Sequence, residues 1–118
     1  MQYLLLIYDE EKVWEKHTEA EKQVMYQGYG ELIQDMKQKN NYIGGHQLQP
    51  VAVATTVRVR NGKKSITDGP FAETKEQLGG YFLVEAKNLD EALDIAARIP
   101  SATEGAIEVR PVVAMGKS

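Results

Sequence analysis

Cysteine is absent from this 118-residue chain, which removes disulfides, a thiol nucleophile and thiolate-held metal together. Basic charge is also scarce: 14 Lys and Arg against 17 Asp and Glu leave a net charge of −3. Nucleic-acid recognition needs a clustered basic face, so no direct nucleic-acid contact is expected. Long apolar runs are missing too. Tyr3-Leu4-Leu5-Leu6-Ile7-Tyr8 is far short of the roughly 20 residues that cross a bilayer, and no basic segment precedes it. We read it as a buried strand, and expect a cytoplasmic protein with no membrane contact. Histidine is limited to His17 and His46, too few and too far apart for a dedicated transition-metal site. A P-loop, a dinucleotide fingerprint, zinc spacing and a G-x-S-x-G elbow are all lacking. No metal or cofactor is expected.

What is present is an ordinary globular composition, 42% hydrophobic and 26% charged. The length argues for a single domain over residues 1–118, large enough to bury roughly two thirds of its unfolded surface. Residues 2–8 are apolar on both alternating faces, as in a central strand. A polar connection, Asp9 to His17, contains the only tryptophan, Trp14. Thr18-Glu19-Ala20-Glu21 fits a capping box and opens a helix to about Lys39. Met25, Tyr29, Leu32, Ile33 and Met36 recur at helical spacing along it. A strand follows over 42–48, interrupted by Gly44-Gly45, and another over 51–60. Asn61-Gly62 is a strong hairpin signal leading into a short strand, Lys64 to Thr67. After a loop, Gly80 to Ala86 reads as a strand. Asn88 caps a second helix whose expected buried stripe is Leu89, Ala92, Leu93, Ala96 and Ile99, stopped by Pro100. A last strand is expected over 106–114.

This order predicts an α+β, ferredoxin-like fold, two β-α-β arms with an inserted β-hairpin and helices on one face of an antiparallel sheet. The other face is then bare and apolar. A homodimer pressing sheet on sheet would cover it.

The most informative stretch is Asp68-Gly69-Pro70-Phe71-Ala72-Glu73-Thr74-Lys75-Glu76-Gln77-Leu78-Gly79-Gly80. Pro fixes φ, Gly supplies freedom and Asp bonds its own downstream backbone, so the chain must turn. Phe71 then places a large aromatic in a loop, where function tends to sit. Asp68 reads either as a turn residue bonding backbone amides or as a general base. His46, beside Gly44-Gly45, is either a structural histidine or a proton shuttle near neutral pH. Arg58 either sits on a solvated strand face or clamps a carboxylate. Six tyrosines pack core and interface or line an aromatic pocket.

The run Asp68 to Glu76, followed by Gly79-Gly80-Tyr81-Phe82, resembles the signature of DGPF-domain proteins of the YCII-related family. Ala54-Thr55-Thr56-Val57-Arg58 and Glu108-Val109-Arg110-Pro111 fit the same family, and the resemblance covers nearly the whole chain. It implies a dimeric α+β barrel of ferredoxin-like halves. It also implies a first-helix histidine paired with an aspartate, but Thr18 to Lys39 contains no histidine and Asp35 is left without that partner. His46 and Asp68 would then form a substitute pair, with Arg58, Gly69, Pro70 and Phe71 shaping the ligand site. The expected activity is cofactor-independent lyase or isomerase chemistry, or binding, on a small molecule, aromatic or otherwise. The alternative is a non-catalytic interaction module linked to sigma-factor-type transcription regulation, a context that the resemblance brings. A third reading makes the stretch a folding element in which Phe71 plugs the barrel end.

Overall fold

The computed structural model describes residues 1–114; the last four residues of the expected 1–118 domain lie outside them. The fold is α+β, with antiparallel sheets and three helices. In chain order the elements are β1 (Gln2–Asp9), α1 (Glu11–Glu15), α2 (Glu19–Gln38), β2 (Tyr42–Gln47), β3 (Thr55–Arg60), β4 (Lys63–Asp68), β5 (Gln77–Glu85), α3 (Leu89–Ala97) and β6 (Ala106–Pro111). Four strands form the main sheet in the order β2-β5-β1-β6, and β3 and β4 pair only with each other. No helix among the described residues is long and apolar enough to cross a membrane.

Alternation along β1 and β5 sorts the sheet into two faces. Tyr3, Leu5 and Ile7 of β1 and Phe82 and Val84 of β5 are buried on one face. Leu32 and Met36 of α2 and Ala92, Ile95 and Ala96 of α3, with Ile99 just beyond it, close over them as one core. The other face carries the intervening residues. Leu6 lies opposite Tyr81, Leu4 opposite Leu83, and Tyr81 opposite His46, and directly paired residues share a face.

The helix signals act as their chemistry requires. The Thr18 hydroxyl accepts the Glu21 amide at 3.1 Å, and the Glu21 carboxylate accepts the Thr18 amide at 2.8 Å, which satisfies two of the otherwise orphaned amides of α2. Asn88 caps α3 by accepting the Glu91 amide at 3.0 Å. Asn61 and Gly62 both take positive φ, 52° and 74°, as a tight hairpin turn between twisted strands demands.

Four details depart from the sequence reading. The connection after Asp9 contains the short helix α1. The expected strand over 51–60 begins as a 3-10 turn at Val51–Val53, because Pro50 precedes it and the Glu11 carboxylate accepts the Val51 amide at 2.9 Å. In α3 it is Ala92, Ile95 and Ala96 that are buried, while Leu89 and Leu93 stand exposed. The buried side of the helix is therefore the Ala92, Ile95 and Ala96 face. Pro100 does not simply end a helix but starts a second 3-10 turn, Pro100–Thr103. Its ring fills the space beside Gly28 of α2, where a Cβ would stand 3.0 Å from Pro100 Cγ.

The β3–β4 hairpin is an arm. The Cα radius of gyration is 16.4 Å, against roughly 13–14 Å for a compact chain of this length. Val57 faces Ile66 across the arm, with Val59 on the same side, and all three are exposed.

Candidate functional site

Between α2 and the β2 edge of the sheet lies a cavity of about 360 Å³. A larger depression, about 650 Å³, runs along the outer face of α2 between Gln27 and Gln38, but a single helix lines it and nothing closes over it. The smaller cavity is the enclosed one, and it falls within the range of small-molecule sites.

Its walls are aromatic. Tyr29 and Tyr42 each pack against Phe82, with ring centroids 6.1 and 6.2 Å apart. Trp14 of α1 meets Tyr26 of α2 edge-on at 5.6 Å and is flanked by His17 at 5.7 Å. The helical repeat puts Tyr26, Tyr29 and Ile33 on the cavity side of α2. The sheet contributes the β2 segment Gly45-His46 and, from β5, Gly79-Gly80. Glycine at 45 is a packing requirement, since a Cβ there would fall 2.5 Å from Phe82 Cδ1.

The polar end of the cavity is built where β1 runs out. Asp9, half-buried, is the last residue of β1 and lies opposite Gln77. The register shifts between Ile7 and Tyr8, where Gly79 is the extra residue of β5. This bulge re-aims the strand end and leaves no side chain over Asp9: a Cβ on Gly79 would stand 3.5 Å from Asp9 Oδ1. The chain returns at Gly105, where a Cβ would collide with the Tyr8 carbonyl and press on Asp9. The turn starting at Pro100 delivers buried Ser101, whose Oγ is 2.7 Å from the Tyr29 hydroxyl.

Burial pushes the Asp9 carboxyl above its ordinary value, and the negative charges of Glu104, Glu11 and Glu76 push it further. The nearby Ser101 hydroxyl pulls it part of the way back. Burial also raises the Tyr29 phenol, so that group stays a neutral hydrogen-bond donor. Tyr29, Ser101 and Asp9 thus form a polar chain at one end of an aromatic chamber. Nearby, His17 takes the Glu104 carboxylate at 2.9 Å, and that bond holds the imidazole above its ordinary value.

The residues singled out from sequence are not gathered in one place. His46 belongs to the cavity wall, and its Nδ1 is 2.9 Å from the Tyr81 hydroxyl. Asp68 is exposed at the end of β4, opposite Thr55, and the cavity lining does not include Asp68, Gly69, Pro70, Phe71 or Arg58. The inserted hairpin carries them into the separate two-stranded sheet. Arg58 donates from Nη2 to the Phe71 carbonyl at 3.3 Å and the Gly69 amide donates to Ala54 at 2.7 Å, so this cluster braces the base of the arm. The Phe71 ring is 77% exposed and plugs nothing within one chain. Asp9 and Ser101 went unnoticed in the sequence. The signal for Asp9 was the acidic run Asp9-Glu10-Glu11 closing a largely apolar strand, with Trp14 three residues beyond; Ser101 had none. Among the described residues no group of three or more acids and histidines could hold a metal ion.

A small α+β protein whose helix-covered antiparallel sheet encloses an aromatic chamber with a half-buried acid at one end is the class that fold and site define. The family model of the YCII-related domain matches residues 1–116, and the chain belongs to that family. An uncharacterised protein of Rhizobium meliloti (strain 1021) is 38% identical over 124 residues, covering 95% of this chain and 92% of that protein.

Proposed function

We propose that the protein binds a small, flat molecule in this chamber and moves a proton on it at Asp9, in cofactor-independent lyase or isomerase chemistry. The observation that carries the reading is the placement of Asp9. A carboxyl pushed above its ordinary value, beside a neutral phenol and hydroxyl and facing aromatic walls, has the properties of a general acid–base group. Such groups contribute about 10²–10⁴-fold to a rate when their pKa nears the working pH. Tyr29 and Ser101 would steady the charge that appears on Asp9 or on the substrate. His46 would bound the chamber through its segment of β2, while its ring pairs with Tyr81 on the open face of the sheet. In this reading Asp9 takes the role that the sequence gave to Asp68, and the Asp68–Phe71 turn braces the arm instead of shaping the chamber.

Incubation with carbon acids of planar shape in D₂O tests this. Deuterium should enter the bound compound, and Asp9→Asn should abolish the exchange while Asp68→Asn preserves it. Exchange that survives Asp9→Asn would remove Asp9 from the chemistry.

We also propose that a second copy covers the open face of the sheet. That face carries the apolar side chains Leu4, Leu6, Leu83 and Tyr81, each partly exposed, and a contiguous apolar patch of this kind marks an interaction surface. Sedimentation equilibrium at micromolar concentration should give twice the chain mass of 13.2 kDa; a monomer would refute the assembly. The exposed apolar side of the arm supports a second reading, a non-catalytic interaction module, under which Asp9→Asn would leave function intact.

A further inference from the structure

We infer that the ligand of the chamber carries a positive charge: a primary amine or a protonated nitrogen heterocycle on a flat apolar frame. This rests on the chamber being a ligand site, and it adds the class of ligand.

The charges around the chamber decide it. Two carboxylates line the cavity, Asp9 and Glu11, and no lysine or arginine does. The acids that flank Asp9 most closely are engaged elsewhere. Glu104 is held by His17 at 2.9 Å, and Glu11 receives the Val51 amide at 2.9 Å. Asp9 has the Ser101 hydroxyl nearby and, among the described residues, no cation within salt-bridge distance. The nearest lysines on α2 are turned to rings instead: Lys22 lies 5.5 Å from the centre of Trp14 and Lys37 lies 5.4 Å from that of Tyr42. A carboxylate ligand would meet Asp9 and Glu11 with no cation to offset the repulsion. A neutral ligand would leave Asp9 as it stands. An ammonium supplies the missing counter-charge.

The walls favour the same class. Electron-rich rings attract cations to their faces, most strongly in a desolvated setting, and Trp14, Tyr26, Tyr29 and Tyr42 surround the space in front of Asp9. The lysines over Trp14 and Tyr42 show that these rings already take cations. A flat frame would slot between Tyr29, Tyr42 and Phe82 while its ammonium reached Asp9, with Tyr29 and Ser101 limiting the room left for water.

Three probes of one shape test it: benzylamine, protonated at neutral pH, benzyl alcohol and benzoate. Trp14 is the only tryptophan and stands in the wall, so its emission reports occupancy, with calorimetry as a check. The amine should bind at least about tenfold tighter than the alcohol, a difference a single cation–π or ion-pair contact supplies, and benzoate should bind weakest. Asp9→Asn should erase the amine's advantage and leave alcohol binding unchanged. Equal or tighter binding of benzoate or the alcohol by the wild type overturns the charge assignment while the chamber stands as a site. So does an unchanged amine affinity in Asp9→Asn. Failure of all three probes to bind overturns the chamber as a site, and this inference with it.

Discussion

Gly44-Gly45 offers a sharp test of how the chamber is packed, because the two adjacent glycines face opposite constraints. At Gly44 an added Cβ would meet nothing within 4 Å. At Gly45 it would lie 2.5 Å from Phe82 Cδ1 and 2.7 Å from the Tyr81 carbonyl oxygen. The first neighbour is a ring wedged among Tyr29 and Tyr42. The second is backbone in the β2–β5 ladder, which cannot retreat without loosening the pairing of Gly45 with Phe82. Gly45→Ala is therefore an overpacking substitution and should cost about 1–3 kcal/mol. Gly44→Ala removes freedom from the unfolded chain at no steric cost and should gain up to about 1 kcal/mol. Urea unfolding followed by circular dichroism measures both. With a slope of about 2 kcal/mol per molar, the Gly45→Ala midpoint should fall by roughly 0.5–1.5 M, and the Gly44→Ala midpoint should stay level or rise. Equal midpoints for the two variants would refute the packing argument, and with it the claim that glycine at 45 is a packing requirement of the Phe82 ring.

Two further outcomes are expected. The folded state holds the Asp9 proton more tightly than the unfolded chain does. That contribution is complete below the ordinary carboxylate value and is lost as pH rises through the folded one, so ionised Asp9 is a burden at neutral pH. Asp9→Asn should melt higher than the wild type at pH 7, the gap closing as pH falls toward 4; a variant that melts lower at pH 7 would show that Asp9 is stabilised there by a partner. Phe71→Ala should change the stability of the single chain by no more than about 0.5 kcal/mol, since exposed positions away from special features stay within that range. A loss of 3 kcal/mol or more, as for a buried aromatic, would mean that the ring is covered in solution.

Much of the scaffold was legible because its signals are local. The Thr18–Glu21 box, the Asn88 cap, the Asn61-Gly62 turn and the α2 stripe depend on residues within a few positions of one another, and each appears where its pattern places it. The face of α3 was harder. Periodicity allowed a stripe that included Leu89 and Leu93, and only the approach of the sheet selects Ala92, Ile95 and Ala96. The site was harder still. Asp9 matters because of Ser101, Tyr29 and the bulge at Gly79, which lie 92, 20 and 70 positions away in the chain, and no local pattern joins them. The Asp68–Phe71 turn stood out for the opposite reason: its dense turn chemistry is all local, and the structure spends it on bracing the arm.

The arm has one more consequence. Its strands are bonded to each other, and its base is tied by contacts that stay within it, from Gly69 to Ala54, from Thr56 to Gly69 and from Arg58 to Phe71. Such a segment can open by itself while the core remains closed. Amide protons of β3 and β4 would then exchange with solvent on a schedule of their own, faster than those of β1 and β5. Whatever rests on the arm would govern that clock without disturbing the chamber.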